Sequence, residues 1–426
     1  MTAAKSDLAT MPASPAAHAI AAASRTPLWA IVLACATVAG LGMGLRQTVG
    51  LYQKPLTENL GIGREVFSMS VAIANIVWGI AAPFAGAISD KYGTGRVVVF
   101  GAVCTALGLY LMQAAASQTD LFISGLLLGF GVAGAGVNAM VGAIGRAAPP
   151  EQRTAAIAKL GMGSGIGVLI AVPYTHFLME AMGWKASLLV LAATTALMLP
   201  MAWTIRGRPV ATTTQRPQTL GQALGEAFAH PSFWLLNAGF FVCGFHVVFY
   251  GAHLPAYVAD KGLGGWVAVW SLVMVGLGNL IGTWLAGEWG KVLPKRWGLC
   301  LIYMSRSVVF LGFLFLPITG TVVVVLSFLL GLFWLSTVPL TSSLVATFFG
   351  PAWMSMLYGI VFFSHQVGSF LGVWMAGRVF DLTKSYDMMW WISVALGIFA
   401  ALVHWPIRER PVARIANAVP AAAGAR

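Results

Sequence analysis

Long apolar runs recur along the whole chain, and they constrain the fold more than any other feature. Only 9% of the 426 residues are charged, against roughly 25% in an ordinary soluble protein. Each run is long enough, at about 20 residues, to cross roughly 30 Å of hydrocarbon as a helix. We therefore exclude a water-soluble fold and expect a multi-pass membrane protein.

The composition favours packed helices over a β-barrel. The apolar runs do not alternate with polar residues as membrane strands do, and 49 Gly and 20 Pro suit helices that pack closely and bend. The four cysteines lie inside apolar runs without CxxC or metal-type spacing, so we expect no disulfide, metal or cofactor. A net charge of +12 would suggest nucleic acid in a soluble protein, but no such partner is expected here.

The apolar runs number about twelve, which predicts an all-α fold of twelve transmembrane helices. The longest interior polar interval leaves six spans before it and six after it. The spans are expected to begin near Leu28, Val66, Val97, Leu121, Thr154, Trp184, Ser232, Trp266, Gly298, Thr321, Ser355 and Met388.

This division predicts five segments. Residues 1–26 are expected to form a disordered cytoplasmic tail, 27–205 a first six-helix bundle, and 206–231 a cytoplasmic linker. Residues 232–406 are expected to form a second six-helix bundle, and 407–426 a second cytoplasmic tail.

The distribution of Lys and Arg indicates the orientation, because cytoplasmic segments are enriched in both. With the N-terminus inside, 16 of the 25 basic residues fall in inner segments, 6 in outer loops and 3 within spans. We therefore expect both termini to lie in the cytoplasm.

Two short charged turns occupy matching places in the two halves. The first follows span 2 and carries Gly86, Asp90, Gly93 and Arg96, and the second runs through residues 287–296 after span 8. Two similar six-span halves are the layout of transporters that rock about a site at mid-membrane. We expect the first turn to be a gate, in which Asp90 pairs with a helix N-terminus or a basic residue and holds the cytoplasmic side shut.

The turn at residues 86–96 resembles the GxxxDxxGxxR signature of the major facilitator superfamily. The chain is most similar to the monocarboxylate porter group and its bacterial relatives, over nearly all of its length except the tails. The resemblance implies two pseudo-symmetric six-helix bundles, alternating access, and a small organic anion moved through a central cavity in a bacterial inner membrane. The stretches that carry the likeness are Trp29 to Lys54, Leu335 to Pro351 and Gly377 to Trp391.

One departure from that group concerns proton coupling. The group characteristically has an Asp and an Arg on span 8, whereas span 8 here offers only Ser271, Asn279 and Thr283 as polar side chains. Three sources of coupling therefore stay open: a titrating histidine, a proton carried by the substrate, or exchange of one anion for another.

Basic residues within spans are candidates for function, because a charge there costs at least about 2.5 kcal/mol. The acidic residues all fall in tails, loops or span ends, whereas Arg46, Lys159 and Arg306 lie within spans. Arg46 corresponds to the basic residue that the porter group keeps on span 1, and its guanidinium could bind a carboxylate or reach out to the interface. Arg306 is expected to cap carbonyls, to bridge to another span, or to act as a coupling charge.

Neutral polar side chains and histidines within spans are the remaining candidates. His246 and His253 lie seven residues apart on span 7 and should share one face, where either could carry a coupling proton or donate to a substrate. The alternative for each candidate is packing, since polar side chains inside a bundle commonly bond to a neighbouring helix. The predicted substrate-binding set is Arg46, Asn75, Asn138, His246, Tyr250, His253, His365 and Gln366.

These features together predict a secondary active transporter of a small organic anion, namely a monocarboxylate. We expect a monomer in the lipid bilayer, with protons among the coupling ions. Efflux of a neutral or anionic drug, vitamin or metabolite stays open as the alternative. An enzyme is not expected, because the sequence has no HExxH, GxSxG or paired mid-membrane Asp.

Overall fold

The computed structural model describes residues 26–148, 150–206, 218–350 and 353–414, and across these residues the chain is helical with no strand. Eleven of its helices are long and apolar enough to cross a membrane. The longest, Lys159–Thr204, has 46 residues and would extend about 69 Å if it were straight. It bends at Gly183, whose φ of 80° lies in the left-handed region that glycine adopts freely. This helix therefore supplies two of the twelve spans.

The twelve spans begin within four residues of the predicted positions. Most are single helices, and spans 1, 4, 6 and 10 continue through a short break. A further short helix, Leu220–Phe228, precedes span 7. The bounds are Leu28–Thr48, Val49–Tyr52 and Gln53–Leu60 (span 1), Arg64–Tyr92 (span 2), Thr94–Ala114 (span 3), Gln118–Ala135 and Val137–Ala147 (span 4), 150–182 (span 5), 184–194, Thr195–Leu197 and Met198–Thr204 (span 6), Pro231–Asp260 (span 7), Gly265–Val292 (span 8), Lys295–Phe315 (span 9), Gly320–Leu332 and Thr337–Phe349 (span 10), Met354–Thr383 (span 11) and Asp387–His404 (span 12).

The two halves repeat one packing pattern. In the first half, span 1 packs on span 5, span 2 on span 4, and span 3 on span 6. In the second half, the equivalent contacts join span 7 to span 11, span 8 to span 10, and span 9 to span 12. Between the halves, span 2 packs on span 11 and span 5 on span 8, which are again equivalent pairs. The fold is therefore two pseudo-symmetric six-helix bundles, as predicted.

Among the described residues, the contacts between the two halves lie on one side of the molecule. Twelve crossings put both ends of the described chain on one face, which we call the terminal side; the opposite face is the distal side. Span 2 contacts span 11 from Arg64, at its distal end, to Gly79, which packs on Gln366. Closer to the terminal side, Phe84 is 65% exposed and a Cβ at Gly86 would have no neighbour within 4 Å. The structure is thus closed distally and open towards the terminal side.

Glycines let neighbouring spans touch within each half. A Cβ at Gly167 on span 5 would lie 2.1 Å from the Gly40 carbonyl oxygen on span 1, and a Cβ at Gly244 on span 7 would lie 1.8 Å from the His365 carbonyl oxygen on span 11. Helices in lipid gain little from burying apolar surface against each other, so their association depends on such close approach. Small residues at these contacts therefore hold the bundles together.

Parts of the predicted tails and linker lie outside the described residues. Within the described part of the linker, the Thr219 hydroxyl accepts from the Gln222 N–H at 3.3 Å and so caps the short helix. Residues 407–414, predicted as tail, lie against the second half, where the Val412 N–H donates to the Phe348 carbonyl at 2.9 Å.

The contact between spans 1 and 5 predicts how two alanine substitutions on span 5 will differ. Gly167→Ala should destabilise the protein by about 1–3 kcal/mol, because the added methyl overpacks the contact. Gly161→Ala is the matched control, since a Cβ there would meet nothing within 4 Å. Thermal unfolding of both variants in the same detergent measures the difference, and equal midpoints would contradict it.

Candidate functional site

A cavity of about 70 Å³ lies where spans 1, 2 and 7 meet, and it extends between spans 3 and 4. Its lining is mostly apolar, and span 7 contributes Val247, Val248, Gly251 and Ala252. Among the described residues that line it, Arg46 is the one charged side chain. The polar neutral lining residues are Gln47, Ser70, Asn75 and Thr105.

Arg46 is held towards this cavity by neutral groups. Its Nη2 donates to the Asn75 Oδ1 atom at 2.9 Å, and its Cζ atom lies 5.1 Å from the centre of the Trp78 ring. Asn75 is itself oriented, because its amide nitrogen donates to the Val71 carbonyl at 2.8 Å. The amide oxygen is thereby left to face the guanidinium.

This arrangement leaves the Arg46 charge without an opposite charge among the described residues. An amide oxygen and a ring face stabilise a cation less than a carboxylate does. Four of the five guanidinium N–H groups are not used by the bond to Asn75. Arg46 and Asn75, both predicted from the sequence, are thus brought together in one cavity that can accept an anion.

The two histidines of span 7 share a face, but that face lies outside the cavity lining. His246 Nε2 is 2.9 Å from the Ser393 carbonyl oxygen of span 12, and the His246 ring packs edge-on against Phe310. Tyr250 likewise points into the second half, where its hydroxyl is 2.7 Å from the Ser327 hydroxyl. These contacts are those of packing residues.

His253 lies instead between the two halves. Its ring nitrogens are 3.1 Å from Gln53 Nε2 and 3.1 Å from Ser68 Oγ in the first half. In the second half they are 2.9 Å from the Tyr386 hydroxyl and 3.1 Å from the Val373 carbonyl oxygen. His253 is therefore part of the distal contact between the halves.

The candidates on span 11 also pack within the protein. The His365 Nδ1 atom is 3.1 Å from Gln366 Oε1, and the His365 ring lies between Phe240 and Phe362. Gln366 is fully buried against Gly79 of the first half. The Asn138 side chain, also predicted, lies outside the described part of the structure.

Arg306 stabilises the break in span 10. It is 1% exposed, and its Nε donates to the Phe333 carbonyl at 2.9 Å while its Nη2 donates to the Trp334 carbonyl. These carbonyls lie where the helix of span 10 is interrupted, so they lack partners within the helix. The geometry matches the predicted capping role.

The predicted gate turn is partly described. Gly93 has a φ of 96°, which favours glycine, and its N–H donates to the Ser89 carbonyl at 3.0 Å. Gly86 has open space beside it and Arg96 is exposed. The Asp90 side chain lies outside the described residues, so the gating role of this turn remains a prediction.

The distal side carries an ion pair between the halves, which we call the distal lock (Arg64, Asp260 and Tyr386). Arg64 Nη1 donates to Asp260 Oδ2 at 2.6 Å, and its Nη2 donates to Asp260 Oδ1 at 2.7 Å. The same Nη1 donates to the Tyr386 hydroxyl at 2.8 Å, and Arg64 Cζ lies 3.7 Å from the Phe380 ring centre. A bidentate pair of this kind fixes both distance and orientation.

Asp381 of span 11 supports the lock from a second direction. Its two carboxylate oxygens accept from the backbone N–H groups of Arg64 and Glu65, at 2.9 and 2.8 Å. These N–H groups lie at the start of span 2, where backbone N–H groups have no acceptor within their own helix. The second half therefore caps a helix of the first half.

Sequence reasoning missed this lock. The predicted start of span 2 near Val66 leaves Arg64 in the loop before it, whereas Arg64 is the first residue of the observed helix and is 8% exposed. Its partners Asp260 and Tyr386 are 196 and 322 residues away, so no local pattern connects them. The available signal was the presence of Arg64, Asp260 and Asp381 at span ends on the same predicted side of the membrane.

The family model of the Major Facilitator Superfamily matches residues 32–373. The chain belongs to this superfamily. Among its relatives, monocarboxylate transporter 11 of Mus musculus is 28% identical over 380 residues, which cover 84% of this chain and 82% of that one. An uncharacterized MFS-type transporter of Bacillus subtilis (strain 168), YcxA, is 24% identical over 406 residues, which cover 90% and 96%.

Solved structures of transporters share the fold of this chain. A bacterial homologue of the human lysosomal transporter Spinster, inward-facing and unoccupied, has a TM-score of 0.71 at 14% identity and covers 89% of this chain and 97% of its own. The xylose transporter XylE from E. coli, inward open, also has a TM-score of 0.71, at 16% identity, and covers 89% and 96%. This superfamily member is a membrane transporter and not an enzyme, and the predicted fold is confirmed.

The distal lock predicts a shift between conformations when Asp260 is replaced. Asp260→Asn removes the charge that pairs with Arg64 and should favour opening of the distal side. Asp260 is 27% exposed and Arg64 10%, so the effect should lie between those of surface and buried pairs, at about 2 kcal/mol or roughly 30-fold in population. Spin labels at Glu58 and Lys384, with the native cysteines replaced, measure the distal separation.

Arg378→Gln is the matched control for this measurement. Arg378 Nη1 also bridges the halves, to Glu65 at 2.9 Å, but its side chain is 54% exposed, so its loss should change the distance distribution little. If Asp260→Asn has the same distribution as the parent protein, the lock does not hold the distal side closed.

Proposed function

We propose that this transporter moves a small monocarboxylate through the Arg46 cavity by alternating access. The single observation that carries the proposal is the Arg46 guanidinium. It faces a cavity with no acidic side chain in its described lining, and among the described residues it bonds only to the neutral Asn75 side chain. A substrate carboxylate would accept two parallel hydrogen bonds from the planar guanidinium. It would also supply the opposite charge that this partly buried cation lacks among the described residues.

The lining supports a monoanion over a dianion. Arg46 is the one cation among the described lining residues, and the opposite wall is made by apolar residues such as Val247 and Val248 of span 7. A second carboxylate placed against that wall would be desolvated without a partner, which is costly. The remainder of the substrate should therefore be small and mostly apolar, with the Trp78 ring beside the carboxylate.

The size of the cavity supports a small substrate over a drug. In the conformation described, about 70 Å³ is available, whereas sites for drug-sized ligands usually offer roughly 300–1,000 Å³. A short-chain acid suits this space, and a large aromatic drug does not.

We propose that the terminal side faces the cytoplasm, so that the structure is inward-open. The excess of Lys and Arg in segments on that side, 16 against 6 on the other, supports this orientation. The distal lock then closes the outer side, and it must separate before substrate can reach Arg46 from outside.

Coupling through the histidines receives little support from their positions. His246 and His365 bond within the second half, and His253 lies in the distal contact. On span 8, the polar side chain of Asn279 is likewise used within the protein, because its Oδ1 atom accepts from the Leu335 N–H at 3.0 Å at the break in span 10. We therefore favour a proton carried by the substrate, or exchange of anions, over a titrating histidine.

Replacement of Arg46 tests the proposed function. In proteoliposomes, Arg46→Gln should lower the uptake of butyrate by roughly 10- to 100-fold, which corresponds to the loss of one charge-assisted hydrogen bond at about 1.5–3 kcal/mol. Arg46→Lys keeps the charge but not the planar fork, so its uptake should lie between that of the parent protein and that of Arg46→Gln. Butyramide, the neutral counterpart, should be transported poorly by the parent protein.

An exposed residue supplies the control for this assay. Lys185→Gln removes an exposed positive charge from the distal side and should leave the uptake of butyrate unchanged. Undiminished uptake by the Arg46→Gln variant would overturn the role of Arg46. Equal uptake of butyrate and butyramide would instead favour a neutral cargo and the alternative of metabolite efflux.

A further inference from the structure

Lys159 differs from the other two basic residues within spans, because the described residues supply it with neither a hydrogen bond nor an ion pair. Arg46 bonds to Asn75, and Arg306 bonds to backbone carbonyls, whereas Lys159 is exposed and has no ion-pair partner among the described residues. Charged side chains within spans usually face the interior of the bundle or a water-filled cavity. A lysine on an outer face can therefore be paired only by a group from outside the protein.

Lys159 lies beside a groove that opens from the first half towards the lipid. The groove has a volume of about 1,110 Å³ and runs between spans 1, 5 and 6. Its floor is made by small residues where spans 1 and 5 touch, including Gly40, Gly163 and Gly167. A Cβ at Gly163 would lie 2.5 Å from the Ala36 Cβ. A larger residue at this position would therefore push spans 1 and 5 apart and change the floor of the groove.

The rim of the groove is apolar and exposed. Lys159 is the one charged residue among the described residues that line it, and no acidic residue is present in that lining. Such a surface suits acyl chains along its length, and it suits a negative group only at the position of the lysine. The exposed apolar rim residues are Trp29 (69%), Leu33 (57%), Met162 (58%), Ile166 (48%), Ile170 (64%) and Leu197 (56%).

The register of the helices places Lys159 near the terminal-side interface. Gly163 packs on Ala36, which is eight residues, or about 12 Å, from the start of span 1. Lys159 is one turn closer to the terminal side, so its Cα lies roughly 6 Å inside the level of Leu28. From there a flexible lysine reaches the headgroup region, while Met162, Ile166 and Ile170 continue the same helix face towards the middle of the membrane.

We propose that this groove binds an anionic glycerophospholipid. Its phosphate pairs with the Lys159 ammonium, and an acyl chain lies along Ile166 and Ile170 over the glycine floor. Trp29, on the opposite wall, lies at the interface, where tryptophan is enriched. This lipid supplies a negative charge that pairs with Lys159, and its acyl chain covers the exposed apolar rim. The site is on the outer surface of the first half, and Leu45 is the one lining residue that it shares with the Arg46 cavity.

Native mass spectrometry of the full-length protein in mild detergent tests this proposal. Phosphatidylglycerol and phosphatidylcholine with identical acyl chains are titrated in separate experiments. The parent protein should bind phosphatidylglycerol about fivefold more tightly, which is the effect of one lysine on an anionic lipid surface. Lys159→Gln should abolish that preference, and Lys159→Arg should keep it.

Three further arms separate the explanations. Lys91→Gln removes another exposed lysine on the terminal side, outside the groove, and should keep the preference. Ile166→Trp fills the groove and should weaken the binding of both lipids. Glycerol phosphate, which has the anionic group without acyl chains, should not compete. Thermal unfolding in the same detergent verifies that each variant is folded.

The proposal fails if the parent protein binds the two lipids equally, or if Lys159→Gln retains the preference for phosphatidylglycerol. It also fails if glycerol phosphate competes as well as the lipid does, because the site would then recognise phosphate alone.

Discussion

Hydrocarbon offers no hydrogen-bond partners, so the polar groups inside this bundle depend on partners within the protein. Arg306 satisfies carbonyls at the break in span 10, and Asn279 accepts from an N–H group at the same break. His246 bonds to the Ser393 carbonyl. Arg46 differs from Arg306, the other arginine within a span, because one neutral amide oxygen is its only hydrogen-bond partner among the described residues.

The same constraint explains how the halves are built and joined. Within each half, glycines bring helix backbones into contact, as at Gly40 and Gly167, because close packing is the main source of helix association in lipid. Between the halves, the distal contact relies on Arg64, Asp260 and Asp381 at span ends, where water can solvate these groups once they separate. Packing within each half is thus built to persist, and the polar contact between halves is built to be broken.

The sequence predicts the spans well because each span is a local property: a run of apolar residues has its length whatever surrounds it. It also predicts Arg46, since a charge inside such a run stands out. It does not predict that the histidine face of span 7 packs on span 12, because the neighbour of a helix face depends on the whole bundle. The distal lock escapes for the same reason, since Arg64 and Tyr386 are 322 residues apart.

The cap that Asp381 places on span 2 has a consequence for the transport cycle. While the distal side is closed, the amide hydrogens of Arg64 and Glu65 are bonded to this carboxylate. Under the proposed alternating access, separation of the halves removes the acceptor and leaves both amides to water, so the first turn of span 2 loses protection against deuterium exchange each time the distal side opens. Two backbone positions thereby report, without any label, whether the distal side is open or closed.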